Sequence, residues 1–172
     1  MKLLAAVLPL VLLAAPASSE VVSAGANGFV IRHVAELPAP PQRAFAAFGQ
    51  LPRWWNPDHS YSGKAANLRL VLAPGGCFCE RLPGGGIEHM RVALVQPGER
   101  VVLVGALGPV LFDAVAGSMD VRFIAGTAGG TRVTMEYKVA GFANGGADKL
   151  APIVDRVLGE QLRRYAGFAS AR

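Results

Sequence analysis

Apolar residues recur at helical spacing along the last stretch of the chain, from Ala147 to Ala169. They form one broad stripe, and charged residues fill most of the other side. The members of the stripe are Leu150, Ile153, Val154, Val157, Leu158, Leu162, Tyr165 and Phe168. We take Asp148 as the N-cap, because its carboxylate can accept hydrogen bonds from N–H groups of the first turn. Pro152 then falls where a missing N–H costs little. The pattern predicts one long amphipathic helix.

Upstream the pattern changes to short runs with period-two alternation, separated by turns rich in Gly and Pro, which predicts strands. The first strand is predicted over Phe29–Leu37, and two short helices follow, over 41–48 and 51–55. The later strands are predicted over 66–73, 77–82, 87–95, 100–106, 118–125 and 131–140. The segment 108–116 fits a loop, a short helix or an irregular strand. Short connections between the strands favour an antiparallel sheet.

These elements predict an α+β fold in which a curved antiparallel sheet of about seven strands wraps around the C-terminal helix. We expect a single domain over residues 29–170, preceded by a leader over 18–28. A curved sheet that grips one helix leaves a space between the two. Such a space is a natural site for an apolar ligand.

The first 17 residues have the pattern of a secretory signal peptide. Lys2 supplies the positive charge, Leu3–Ala15 supply a short apolar run, and Ala15–Ala17 match a cleavage site. The apolar run is shorter than the ~20 residues of a membrane-spanning helix, and Pro9 interrupts it. We therefore expect a mature protein in the periplasm or secreted, without a stable membrane span.

Composition and charge exclude several classes of function. The chain has 172 residues, 52% of them hydrophobic, which is enough for a core. The net charge of +5 comes from scattered residues, so we expect no nucleic-acid partner. The sequence has no serine-hydrolase elbow, no zinc-protease motif and no phosphate-binding loop. The Gly-rich stretches at 84–86 and 126–130 fit hairpin turns. We expect no cofactor.

Several local motifs occur in a familiar order. They are the helical segment Pro41–Phe48, Trp54-Trp55 followed by Pro57, Gly75–Phe78 at a strand start, Gly129–Thr134 before the last strand, and the terminal helix. In this order they resemble the START-like superfamily, also called SRPBCC, which has the helix-grip fold. The chain looks most like the branch of the chaperone-ATPase activator homology domain and the polyketide cyclase-like proteins. The resemblance covers Phe29–Phe168.

This resemblance implies an internal cavity for lipids, sterols, polyketides or other hydrophobic molecules, but it does not imply one activity. Two features depart from the family pattern. They are the export signal and the sequence Cys77–Glu80. An ATPase activity has no residue support.

Aromatic and polar side chains are concentrated in the loop that follows the short helices. We expect Trp54, Trp55, His59 and Tyr61 to lie at the mouth of the cavity, where His59 could bind a ligand head group or act as an acid or base. Alternatively, the loop caps the sheet and its aromatic side chains belong to the core. The deeper wall is predicted to contain Phe123, Val133, Met135, Tyr137, Val154, Leu158 and Leu162.

Cys77 and Cys79 are the only cysteines. Residues two apart on a regular strand point the same way along parallel directions, which is poor disulfide geometry unless the strand is distorted. The pair therefore fits a disulfide, two buried thiols, or a metal site with His89 or His59, although the spacing is not that of common zinc sites. We assign no metal site.

His89 follows a hairpin turn and could lie opposite Glu80 or Cys79. We interpret it as one member of a surface cross-strand pair, and Glu80, Arg81 and Glu88 as a solvated charge cluster. His33 on the first strand is interpreted as a structural histidine.

The hypothesis favoured by the sequence is an exported protein that binds a small hydrophobic ligand between the sheet and the C-terminal helix. One alternative is an enzyme of polyketide cyclase or hydrolase type, with His59 and Asp58 or Asp113 as candidate acid–base groups. Another is a chaperone-like interaction module, which a filled cavity and an exposed apolar patch would favour. The sequence does not fix the ligand or the oligomeric state.

Overall fold

The computed structural model describes residues 18–126 and 129–171. The predicted signal peptide, residues 1–17, lies outside the described residues. The helices are α1 (Pro41–Phe48) and α2 (Ala147–Ser170). The strands are β1 (Ser18–Gly25), β2 (Gly28–Leu37), β3 (Leu68–Leu70), β4 (Cys77–Leu82), β5 (Gly85–Gln96), β6 (Arg100–Val104), β7 (Ala116–Ala125) and β8 (Thr131–Ala140). Short 3₁₀ helices span Leu51–Arg53, Pro57–His59, Ala65–Asn67 and Gly108–Asp113.

All eight strands form one antiparallel sheet in the order β1-β2-β8-β7-β6-β5-β4-β3. Neighbours in sequence are also neighbours in the sheet, except where β2 pairs with β8, from Gly28 opposite Ala140 to Leu37 opposite Thr131. That pairing joins the second strand of the chain to the last one. The predicted α+β helix-grip fold is confirmed, including the two short helical segments after the first predicted strand.

The sheet has eight strands, whereas about seven were expected, because the predicted leader is itself part of the sheet. Ser18–Gly25 pair with β2, with Val21 opposite Ile31 and Gly25 opposite Gly28. Val21 packs against the core. The small and polar residues of this segment hide its alternation, so the interpretation of 18–28 as a loose leader was wrong.

The terminal helix begins two residues earlier than its predicted cap implies. Gly146 is the N-cap, with φ of 92°, and Asp148 lies in the first turn. There the carboxylate still favours the positive end of the helix dipole. Pro152 is the sixth residue of the helix, so it removes the N–H that would bond to the carbonyl of Asp148. No helix among the described residues is long and apolar enough to cross a membrane.

Helix α2 lies against β1 and β2. A Cβ atom on Gly159 would lie 2.9 Å from Cε1 of His33, so only glycine allows this approach. His33 is 2% exposed, and its Nε2 lies 3.1 Å from Oδ1 of Asp155 on the helix. The predicted structural role of His33 agrees with this burial. Further along, Tyr165 of the helix packs edge-on against Phe48.

Candidate functional site

A pocket of about 320 Å³ opens between the first half of α2 and the β3–β5 end of the sheet. Its size is in the range of pockets that hold small ligands. Its lining is almost entirely apolar and aromatic. The lining residues are Trp55, His59, Ser60, Tyr61, Leu68, Phe78, His89, Leu107, Gly108, Pro109, Val110, Leu150, Ile153, Val154, Val157 and Leu158.

One wall of the pocket is the apolar stripe of α2. The spacing of Leu150, Val154 and Leu158 along the helix places them on one face. Leu158 is 1% exposed, whereas Ile153 is 49% exposed and lies at the mouth. The stripe is therefore wider than its packing on the sheet requires, and the part that does not pack on the sheet borders the pocket.

The mouth is formed by a loop that hydrogen bonds fasten to α2. The backbone N–H of Asn56 donates to Oε1 of Gln161 at 2.8 Å. Its side-chain amide donates to Glu160 at 2.6 Å, and Nε2 of His59 lies 3.2 Å from the same carboxylate. The indole N–H of Trp55 closes the loop by donating to the carbonyl of His59. These bonds hold Trp55 and His59 at the pocket.

The other end of the loop is held by a buried carboxylate on β4. Glu80, which is 1% exposed, accepts hydrogen bonds from the backbone N–H groups of Tyr61 and Ser62. Nε2 of His89 lies 3.1 Å from the same carboxylate. Burial alone would raise the pKa of Glu80, but its bonds with Ser62, Tyr61 and His89 outweigh burial and hold that pKa below its ordinary value. Burial lowers the pKa of His89.

A β-bulge explains why this pair is buried. Phe78 pairs with Met90 and Cys79 pairs with Glu88, so His89 is an extra residue in β5. As a result both His89 and Met90 face inward, which strict alternation would forbid. The expected partnership of His89 with Glu80 is present. The expected surface location was wrong for both residues, while Arg81 and Glu88 are exposed.

The ambiguous segment after β6 is a short 3₁₀ helix, Gly108–Asp113, and it supplies a third side of the pocket. Phe112 of this helix is 72% exposed, and its ring lies 6.4 Å from that of Tyr61. The segment ends at Ala114, which has φ of 55°, a left-handed conformation that disfavours alanine. The pocket mouth is thus bordered by exposed apolar side chains.

Five of the predicted ligand-binding residues line this pocket: Trp55, His59, Tyr61, Val154 and Leu158. The other predicted residues are Trp54, Phe123, Val133, Met135, Tyr137 and Leu162, and the structure places them in the packed core. The wall predicted from β7 and β8 differs from the observed one, because that region of the sheet is already filled by aromatic and apolar packing.

Particular contacts hold these core residues. Phe123 packs edge-on against Phe45 and Phe48. The hydroxyl of Tyr137 accepts from the backbone N–H of Leu107 at 2.9 Å, and burial raises the pKa of Tyr137 to about 12. Trp54 donates its indole N–H to the carbonyl of Phe48.

A small gap of about 10 Å³ lies deeper in the core and is bordered by Trp54, Met135 and Leu162. Trp55 and Phe78 border both this gap and the pocket, so their rings separate the two spaces. The core beneath the pocket is therefore nearly filled, and the open space lies on the other side of the two rings.

Cys77 and Cys79 form a disulfide on the outer face of the sheet, opposite the pocket. Their Cα atoms are 5.3 Å apart, less than the ~6.6 Å of two regular strand steps. Strand β4 is therefore contracted between these positions, which is the distortion that a bond between them needs. The alternative of two free thiols does not apply. Their sulfurs lie within 4.8 Å of the Glu88 carboxylate.

Comparison of the sequence with protein-family models finds no match, and comparison with curated proteins finds none either. Solved structures show the same fold at low identity. CalU16 from Micromonospora echinospora is 13% identical, with a TM-score of 0.60 over 91% of this chain and 87% of that one. An uncharacterised protein from Rhizobium leguminosarum is 19% identical, with a TM-score of 0.60 over 92% of this chain and 100% of its own.

The protein Mll3558 from Rhizobium loti is 22% identical, with a TM-score of 0.60 over 81% of this chain and 96% of that one. At such identities the likeness concerns the fold alone. Fold and pocket together define a helix-grip protein with an apolar pocket under its terminal helix.

Proposed function

We propose that this protein binds a small hydrophobic ligand in the pocket between the sheet and α2. The observation that supports this is an open pocket of about 320 Å³ whose wall is the exposed part of the apolar stripe of α2. When a ligand covers apolar surface that is open to water, the free energy falls by about 25 cal/mol per Å². Leu150, Val154 and Val157 contribute that surface.

We place the chain in the START-like superfamily, on the branch of the polyketide cyclase-like proteins. The helix-grip fold and the motifs at Trp54-Trp55 and Gly129–Thr134 support this placement. An enzyme of cyclase or hydrolase type using the same pocket is the second candidate. Asp58 and Asp113, the carboxylates that the sequence suggests for such an enzyme, are exposed and do not line the pocket. The buried Glu80–His89 pair supplies a carboxylate and an imidazole instead.

The chaperone-like alternative would be favoured by a filled cavity. The pocket is open, which favours ligand binding instead.

We also propose that the protein is exported to the periplasm or secreted. The charge, apolar run and cleavage pattern of residues 1–17 support this, as does the Cys77–Cys79 disulfide, since such bonds persist in oxidising compartments. Mass spectrometry of the protein from a host with an export pathway should identify Ser18 as the mature N-terminus. An intact N-terminus in the cytoplasmic fraction would contradict export.

A pair of Val→Trp variants tests ligand binding. Val154→Trp places a large ring in the pocket, whereas Val104→Trp places it on the exposed outer face of β6. We expect Val154→Trp to weaken binding of the uncharged fluorescent probe N-phenyl-1-naphthylamine at least about tenfold, because the tryptophan ring takes the space of one aromatic group of the probe, a loss of about 1.4 kcal/mol or more.

Val104→Trp should bind like the unchanged protein, and thermal shift should report both variants folded. Equal probe binding by the two variants would place the bound probe elsewhere. If no probe and no compound of an aromatic and lipid library binds the unchanged protein, the proposed function fails.

A further inference from the structure

The buried imidazole of His89 has one nitrogen bonded and one nitrogen open. The Glu80 carboxylate accepts hydrogen bonds from two backbone N–H groups, those of Tyr61 and Ser62, and these bonds favour its ionised form, which carries no proton. The third partner, Nε2 of His89, must therefore carry the hydrogen that it shares with Glu80. Neutral His89 is then fixed as the tautomer whose Nδ1 has a free lone pair.

That free nitrogen has no hydrogen-bond partner among the described residues. Nδ1 of His89 is buried and unbonded, and the residue is 4% exposed. A buried acceptor without a partner costs about 1–3 kcal/mol. Because the His89 ring also borders the pocket, a ligand is the group placed to satisfy it.

Aromatic rings surround the same imidazole. Tyr61 stacks on it with ring centroids 5.8 Å apart, and Phe78 lies 5.0 Å away. Tyr61 is 44% exposed, so its ring is the outermost member of this cluster. This end of the pocket offers flat apolar surfaces around one hydrogen-bond acceptor.

Two carboxylates lie beside the pocket. Glu80 lies directly behind His89, and Glu160 lies 3.2 Å from His59 at the mouth. No lysine or arginine is among the described residues that line the pocket. An anionic ligand group would meet like charge and a lone pair, and a charged amine would lose its hydration in an apolar space.

We infer that the pocket selects an aromatic ligand that carries a neutral hydroxyl group, whose O–H donates to Nδ1 of His89. The inference rests on the proposed function, since it names the class of ligand for the same pocket. The hydroxyl satisfies the one open acceptor, and the ring takes the place beside Trp55 and Phe78. Carboxylates of the same shape are excluded by Glu80.

The test uses the full mature chain and three ligands of one shape: 4-hydroxybiphenyl, 4-methylbiphenyl and biphenyl-4-carboxylate. Calorimetric titration should give an affinity for the hydroxyl compound about threefold to tenfold above that for the methyl compound, the gain expected from one net hydrogen bond. The carboxylate should bind more weakly than either.

Two variants remove the acceptor in different ways. His89→Leu replaces the imidazole with an aliphatic side chain, and His89→Phe keeps a ring between Tyr61 and Phe78. In each variant that circular dichroism shows to be folded, the preference for hydroxyl over methyl should disappear. His33→Asn alters another buried imidazole beside a carboxylate, outside the pocket lining, and should keep the preference, so it is the matched control.

Failure of this inference differs from failure of ligand binding. If the methyl compound binds the unchanged protein as well as the hydroxyl compound, the inference is overturned while the binding function stands. The same holds if the preference survives in a folded His89 variant. If neither the uncharged biphenyls nor N-phenyl-1-naphthylamine binds, both proposals fall together.

Discussion

His33 and His89 are both buried imidazoles, and each has Nε2 3.1 Å from a carboxylate oxygen. Asp155 of α2 faces His33, while Glu80 of β4 and Tyr61 of the loop face His89. Burial lowers the pKa of both histidines despite these carboxylates. The two residues therefore fold in their neutral form.

This arrangement predicts a loss of stability in mild acid. Below pH 6.5 both histidines bind protons in the unfolded chain more readily than in the folded chain, because their folded pKa values are lowered. The free energy of unfolding therefore has its full value above pH 6.5 and decreases as the pH falls below 6.5. Each histidine contributes a slope of up to about 1.4 kcal/mol per pH unit. Glu80, whose folded pKa is also lowered, adds a further loss near and below pH 4.5. Urea denaturation between pH 7.5 and 5.5 measures the slope.

Variants assign that slope to its residues. His33→Asn and His89→Gln should each flatten the dependence between pH 6.5 and 5.5, and the double variant should flatten it most. A slope that neither change alters would show that the two imidazoles are protonated in the folded protein.

At this scale the sequence predicted types of residue better than their environment. The density of aromatic and polar residues around Trp55, His59 and Tyr61 indicates a pocket mouth, and these residues do line the pocket. The burial of Glu80 and His89 depends on a bulge between paired strands. A bulge is a property of two strands together, and alternation along one strand does not reveal it.

Helix α2 could be predicted almost completely from its own residues, because a 24-residue helix repeats its apolar spacing many times. Its direction of packing could not. The contact with β1 and β2 depends on Gly159, which packs against His33. In the sequence alone, this glycine indicates only a position that weakens the helix. For α2, the local apolar spacing is enough to predict the helix, whereas the surface that it packs against depends on contacts with other elements.

Two glycines of this helix give a matched prediction. Gly167 has no atom within 4 Å of a built Cβ, so Gly167→Ala should stabilise the protein by about 0.5–1 kcal/mol through helix propensity. In Gly159→Ala the same gain is opposed by overpacking against His33, at about 1–3 kcal/mol. Chemical denaturation should therefore rank Gly167→Ala above the unchanged protein and Gly159→Ala below Gly167→Ala by about 1–3 kcal/mol.

A double-variant cycle checks the cause. In a His33→Ser background the methyl group of Gly159→Ala has room, so the two alanine variants should become similar in stability. Equal stabilisation by both alanines in the unchanged background would mean that His33 does not restrict the approach of the helix.

Over the whole molecule, the sheet connects the two ends of the described chain. The turn between β1 and β2 is fastened near the start of α2, because the carbonyl of Asn27 accepts from the N–H groups of Gly141 and Phe142, and that of Ala26 accepts from Ala147. The order of elements was predictable from turns and alternation. The membership of Ser18–Gly25 in the sheet was not, since it depends on β2 as a partner.

The role of β1 yields the last prediction, in which a chain beginning at Ser18 is compared with one beginning at Ala26. The shorter chain loses the hydrogen bonds of Ser18–Gly25 to β2. It also exposes the part of the core against which Val21 packs. We expect a loss on the order of 3 kcal/mol or more, several bonds at about 1 kcal/mol each plus apolar burial. An uncovered β2 edge also favours pairing between chains, so size-exclusion chromatography should show larger species. The chain from Ser18 should match the processed protein in both measurements. If the two chains have equal melting temperatures and elute alike, the domain begins at residue 29, as the sequence pattern predicts.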